Sequence, residues 1–462
     1  MADLTIAETA LSGGRIRYTL GAGNWTGRRI PDIHRPGATI EVPERRMLDV
    51  ILLGDGYTTA ASFRAALEDW LDAFYALRVY EVFAGCLRVR ALYTPSSEPA
   101  SSRRDSFYRC KLAGDGRSLE KDDWWTAGDA DGIAFRSALW AGVDTFADAN
   151  PRRYPLDLDV GATNQAITND RLRDLYRNLV VGMLVSSSAT GHPSGFTSDV
   201  SRPAPDAGRH VRVAFGANEI HEFSHGFGLL SDEYINGRET ANSGRVNPPR
   251  KSVFSLSNLS YSDRVDELPW LHLSPGGREP RSAGGQAPSP LVGWAWVGGS
   301  VHRGVWHSEY RCLMNGSHDN FAFTQDAADD PTANADGTYT DETGAGLRDG
   351  DRFCLWCQEL VTLRILERTD QLLEAGDPDD VSAQGELWYT RWVERLRTNY
   401  WTLFDVPGQI ADAEARYATL APGAGGEPLW RSDLYSVPTA APAVAATAAP
   451  PADDELFLLT CI

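Results

Sequence analysis

Everything else in the sequence has to be arranged around the stretch from His210 to His225. His210-Val211-Arg212-Val213-Ala214-Phe215 alternates as a strand does, and Gly216-Ala217-Asn218 can turn the chain. Asn218 is then placed to cap a helix from Glu219 to about Phe227. On that helix His221 and His225 lie four apart, so both imidazoles leave one face about a turn from each other and can meet a single ion. Ile220, Phe223 and Phe227 are left to pack. Glu222, beside the first histidine, is badly aimed as a ligand but well aimed at a water next to the ion.

The pattern is H-E-x-x-H, and in a chain of this make-up it arises by chance roughly once in a hundred, so its surroundings matter. A catalytic zinc takes three protein ligands and a water, whose pKa it lowers from about 15.7 to about 7. Gly228 can adopt φ > 0, end the helix and turn the chain back toward the ion. Among the acids that follow, Asp232 is the expected third ligand, with Glu233 and Glu239 as competitors. Zincs of the metzincin type take a ligand six residues after the second histidine, which here is Ser231, so the pattern runs one residue longer.

Upstream, Leu48 to Gly54 is a nearly continuous apolar run ending in a Gly-bearing turn, as in a strand buried on both faces. Phe63, Leu67, Trp70, Leu71 and Phe74 recur at helical spacing and predict a helix over 61–77. Cys86 to Leu92, Leu179 to Ser186 and His210 to Phe215 read as further strands. Strands interleaved with helices, then a loop-rich second half, predict an α+β fold with a mixed twisted sheet and an active-site helix. The expected organisation is an N-terminal arm (1–46), a catalytic domain (47–378), a helical or mixed extension (379–423) and an Ala/Pro-rich flexible tail (424–462). Within these, 354–367 reads as helical and 388–421 as helical or mixed.

The net charge of -19 argues against a nucleic-acid partner, which would need a basic face. No apolar run is long enough to predict a membrane span, and the opening residues lack a secretory signal, so a cytoplasmic location is the expectation. The oligomeric state is not legible.

His221 through Tyr234, HEFSHGFGLLSDEY, resembles the signature of the IgA-specific metalloendopeptidase family, H-E-x-G-H-x-F-G-x-L-x-D-E-Y. It departs from that signature at Ser224, where the family carries Gly. Leu53 to Thr58 looks like the family's early strand-turn motif, Tyr310-Arg311-Cys312-Leu313-Met314 resembles its Met-turn, and Phe353 to Cys357 matches its F-C-x-x-C. The resemblance spans roughly 47–367. It implies a zincin-type, metzincin-like zinc endopeptidase acting on protein or peptide substrates. His221, His225 and Asp232 would be its metal ligands, Glu222 its general base, and Met314 would lie beneath the ion. A zinc amidase acting on a small peptide-derived metabolite, or a non-catalytic zinc-bearing binding protein, would share the same ligands.

Tyr310 and Tyr234 are candidates to stabilise an oxyanion or support a ligand, and His302, His307 and His318 flank the Met-turn in positions to do the same. Cys354 and Cys357 could suggest redox chemistry or a second zinc, but with only Cys312 near in the motif order and no second C-x-x-C they are expected to pack in the core or to form a disulfide with Cys312. The stretch 325–352 holds eight acids against two arginines, and Asn334 to Gly337 matches the middle of a calcium loop. Thr332 and Thr343 stand where that loop needs Asp and Glu, so Ca2+ is weakly supported beside Zn2+. The apolar tip Leu456 to Ile462 could dock in a cleft and offer Cys461 to a metal.

Overall fold

Leu48–Asp55 forms a strand, β5, buried along all eight of its residues. The structure, a computed structural model, describes residues 4–22, 28–98, 106–110, 112, 119, 128–146, 175–186, 195–204, 210–216, 220–233, 256–260, 268–273, 296–299, 302–308, 312–315, 352–378 and 381–411. The predicted strand stops at Gly54, one residue short of the observed end. Parallel neighbours flank β5: β6 (Leu87–Tyr93) on one side and β7 (Leu175–Val185) on the other, with β9 (His210–Phe215) parallel beyond β7. Strands covered on both faces carry apolar side chains without alternation, which is why β5 reads as a continuous run.

Antiparallel strands complete this sheet at both edges. β1 (Leu4–Ala10) and β2 (Ile16–Ala22) form a hairpin that pairs through β2 with β6, and β8 (Phe196–Ser201) pairs with β9. Among the described residues the mixed sheet therefore has seven strands, ordered β1-β2-β6-β5-β7-β9-β8. Residues expected to form an arm thus supply its first two strands. Among the described residues there are also two small two-stranded sheets: β3 (Arg29–Pro31) with β4 (Thr39–Glu41), and β10 (Trp296–Gly299) with β11 (His302–His307).

Helix α1 (Ala60–Ala76) starts at Thr59, whose side chain accepts the Ser62 N–H, and buries the predicted stripe Phe63, Leu67, Trp70, Leu71 and Phe74. The short α2 (Arg78–Val82) follows directly. Helix α3 (Ala130–Asp144), which the sequence reading missed, is capped by Asp129 and buries Phe135, Leu139, Trp140 and Val143. Later come α4 (Ile220–Gly228), α5 (Leu355–Arg368), α6 (Val381–Arg391), a π-helical turn and α7 (Arg397–Phe404). No helix among the described residues is long and apolar enough to cross a membrane.

The chain divides into two compact units, the first formed by Met1–Leu229, Val361–Trp388 and Leu459–Ile462, the second by Leu230–Leu360 and Tyr389–Leu458. In the first unit the segment from Ser106 to Cys110 is held to the end of β5 by Asp55, a fully buried carboxylate that accepts from Ser106 Oγ at 2.9 Å, Tyr108 N at 2.8 Å and Cys110 N at 2.9 Å. Burial raises its carboxyl, and these bonds oppose the shift. Gly54 admits the Phe63 ring, because a Cβ there would lie 2.5 Å from two ring carbons.

Candidate metal centres

Helix α4 is held from two sides. Toward α1, Phe223 meets Trp70 at 5.3 Å and Phe74 at 5.5 Å, both edge-on, and Phe227 meets Tyr80 at 5.3 Å. Each such buried ring contributes roughly 1.5–3 kcal/mol. Toward the sheet, Thr197 Oγ1 on β8 donates to the Glu222 carbonyl at 2.7 Å. Gly226 approaches so closely that a Cβ would lie 3.3 Å from Arg212 and 3.4 Å from Val180. Ser224, where the resembled family has Gly, is fully buried and donates to the Ile220 carbonyl at 2.7 Å, so its hydroxyl is satisfied within the helix.

The opposite stripe carries His221, half-buried, and His225, buried. Their Nε2 atoms are 3.1 Å apart with the rings perpendicular. Two nitrogens on one tetrahedral zinc would stand about 3.3 Å apart. On the same continuous stretch of chain, Asp232 brings a carboxylate oxygen to this pair, and the three ligand atoms all lie within 4.8 Å of one another. The side chains fit a divalent ion in type and spacing. Glu222 is half-buried beside His221.

The path between the second histidine and Asp232 differs from expectation. Gly228 does not take positive φ; the left-handed residue is Leu229, at φ 56°, immediately after the helix ends. A left-handed residue with a side chain costs roughly 1–2 kcal/mol, and here that side chain is itself buried. Ser231, in the metzincin ligand position, gives its N–H to Asn258 Oδ1 at 2.8 Å and accepts Asn258 Nδ2 at 2.7 Å. Asn258 thus holds the backbone one residue before Asp232.

Glu233 belongs to a different cluster. Its carboxylate lies with the sulfurs of Cys312, Cys354 and Cys357, the four ligand atoms all within 4.8 Å of one another and all four residues fully buried. The three cysteines are free and buried, so of the two expectations core packing holds and the disulfide to Cys312 does not: the sulfurs meet around a carboxylate rather than bonding in a pair. Glu233 Oε1 accepts from Cys357 Sγ at 3.1 Å and from Asn258 Nδ2 at 3.0 Å, whereas Glu233 Oε2 has no partner. Burial raises the carboxyl of Glu233 and the thiols of Cys312 and Cys357. Cys354 moves down, because hydrogen bonds from Cys312, Cys357 and Ser308 to its thiolate outweigh burial. The sequence held the signal, a C-x-x-C with a third cysteine and an acid, but that acid lay hidden among the candidates for the histidine site.

Met314 is fully buried, and its carbonyl accepts the Glu233 N–H at 2.7 Å, tying the short turn Leu313–Asn315 to the residue after Asp232. His307 is buried on β11. Tyr310, Tyr234, Glu239, Asn218, His318, the 325–351 stretch with its calcium-loop match, and the tip with Cys461 lie outside the described residues, as does the side chain of His302. No family model and no curated protein matches the chain.

Proposed function

We propose that the chain is a zinc-dependent endopeptidase of zincin, metzincin-like type, related to the IgA-specific metalloendopeptidases. The observation that carries this reading is the convergence of His221, His225 and Asp232 from a helix and the turn behind it, with Glu222 next to the first histidine. A strand, turn and H-E-x-x-H helix at one side of a mixed sheet, with an antiparallel edge strand beyond, supports the same assignment.

His221, His225 and Asp232 would hold the zinc, which when bound supplies a Lewis acid for the scissile carbonyl and acidifies the attacking water. Glu222 takes the proton of that water and returns it to the departing amine. A carboxylate suits both halves of this exchange because it is ionised before attack and protonated after it. The carbonyl of Glu222 is anchored by Thr197 and the helix is gripped through Phe223 and Phe227, so the backbone that carries the base is held in place. Met314 serves by shape, as a buried floor for the turn.

Replacing Glu222 by Gln preserves size and hydrogen bonding but removes the base. Cleavage of a mixed peptide library should fall about 10²–10⁴-fold while metal content stays that of the parent. A variant that cleaves as fast as the parent would end this mechanism, and cleavage confined to small amides would redirect it to an amidase.

A further inference from the structure

We propose that Glu233, Cys312, Cys354 and Cys357 form a second metal site, a closed tetrahedral one that holds zinc in a structural role. It is independent of whether the histidine site catalyses anything.

The donor geometry is the first argument. A tetrahedral zinc with sulfur and oxygen ligands sets its sulfurs about 3.8 Å apart and sulfur from oxygen about 3.6 Å. Here Glu233 Oε1 lies 3.1 Å from Cys357 Sγ and 3.9 Å from Cys354 Sγ, and no pair among the four ligand atoms exceeds 4.8 Å. All four residues are fully buried, and four protein donors are the number a tetrahedral zinc needs without water. That is the mark of a structural site, since a catalytic one keeps a position open.

The groups behind the donors are the second argument. Cys312 Sγ accepts the backbone N–H of Met314 at 3.4 Å and of Cys354 at 3.3 Å, and Cys354 Sγ accepts the N–H of Cys357 at 3.3 Å and Ser308 Oγ at 3.4 Å. Donors aimed at sulfur favour thiolate over thiol, and outer groups of this kind orient metal ligands. Asn258, fully buried and locked to Ser231 on both its amide atoms, gives its remaining hydrogen to Glu233 Oε1. On binding, the thiols release their protons to solvent and the ion takes their place. Three thiolates and one carboxylate around a dication carry two net negative charges, as a four-cysteine zinc site does, and the N–H donors face that charge.

A purely packed core does not account for a carboxylate among three thiols with Glu233 Oε2 left without a partner. Nor does a disulfide, which would use two sulfurs and strand the third beside the acid. Zinc here would join three distant segments of the second unit: the turn at Glu233, the Met-turn, and the start of α5.

The test is cobalt(II) substitution of the full chain, read by metal stoichiometry and by sulfur-to-cobalt charge-transfer absorption in the near ultraviolet. The parent should bind two equivalents with a thiolate band. The double variant His221→Ala/His225→Ala should retain one equivalent and the whole band, because no sulfur belongs to that site. Cys357→Ser, which leaves two thiolates, should lose at least about a third of the band. Should that variant not fold, Glu233→Cys replaces it, and a fourth thiolate should strengthen the band by about a third. A single equivalent in the parent that vanishes in the double histidine variant, or cobalt bound with no sulfur band, overturns the proposal. An unchanged band in Glu233→Cys removes Glu233 from it. Neither result touches the Glu222 test of peptidase activity.

Discussion

Asp232 and Glu233 are alike in chemistry and adjacent in sequence, yet they join different groups of ligands. Residue type and spacing named both as partners for the histidines and could go no further. What separates them is the backbone course through left-handed Leu229 and the grip of Asn258 on Ser231, neither of which leaves a composition or period to read. The histidine pair was legible because helical spacing alone carries it. Glu359 on α5 is another residue whose role only the fold reveals. His272 Nε2 lies 2.7 Å from its carboxylate, and Trp392 Nε1 and Arg397 Nε donate to it at 2.7 Å and 3.0 Å. Burial would raise this carboxyl, but His272 and Arg397 hold it down to about 2, against an ordinary 4.5. The folded value lies below the unfolded one, so these contacts contribute fully above about pH 4.5 and are lost as pH falls toward about 2. That loss should amount to about 3 kcal/mol. Urea midpoints measured across that window should fall for the parent and flatten for Glu359→Gln. An equal fall in both would assign the acid sensitivity elsewhere.

Among elements, the central strands and α1 could be read because burial on both faces, or along one helical stripe, writes itself into the order of apolar residues. The edges could not. β1 is largely exposed, and β8 (Phe-Thr-Ser-Asp-Val-Ser) mixes polar with apolar residues, since an edge strand has less to cover. Helix α3 did carry a signal in Phe135, Leu139, Trp140 and Val143 behind the Asp129 cap. The three-way packing of α1, α4 and the sheet makes its own prediction. Phe223→Ala should cost about 3–5 kcal/mol in urea unfolding and weaken metal retention by the histidines, as the helix loses its seat. Gly54→Ala, which drives a methyl into the Phe63 ring, should cost about 1–3 kcal/mol. At Gly128 a Cβ meets nothing within 4 Å, so Gly128→Ala should stay within about 0.5 kcal/mol and serves as the control. If Gly54→Ala matches that control, the close approach of Phe63 is not a constraint.

For the whole molecule, composition bounded the class but not the assembly of the second unit, whose parts come from Leu230–Leu360 and from Tyr389–Leu458. No local pattern announces that a residue near 233 will meet others near 312 and 354. A metal shared by such segments links folding to ion supply. A chelator should lower the melting temperature of the full chain. Zinc returned at about a hundredfold its dissociation constant should restore about 2.7 kcal/mol per site. A melting temperature indifferent to the chelator would show that neither cluster retains an ion in the folded chain.

The short connector from Leu229 to Glu233 has to keep its frame. One inserted residue would present Ser231 to the histidines and Asp232 to the thiols, and one deletion would present Glu233 and Tyr234 in their place. Either change would unmake both clusters while leaving every ligand in the sequence, so the number of residues in this connector is constrained as tightly as the identity of the ligands it delivers.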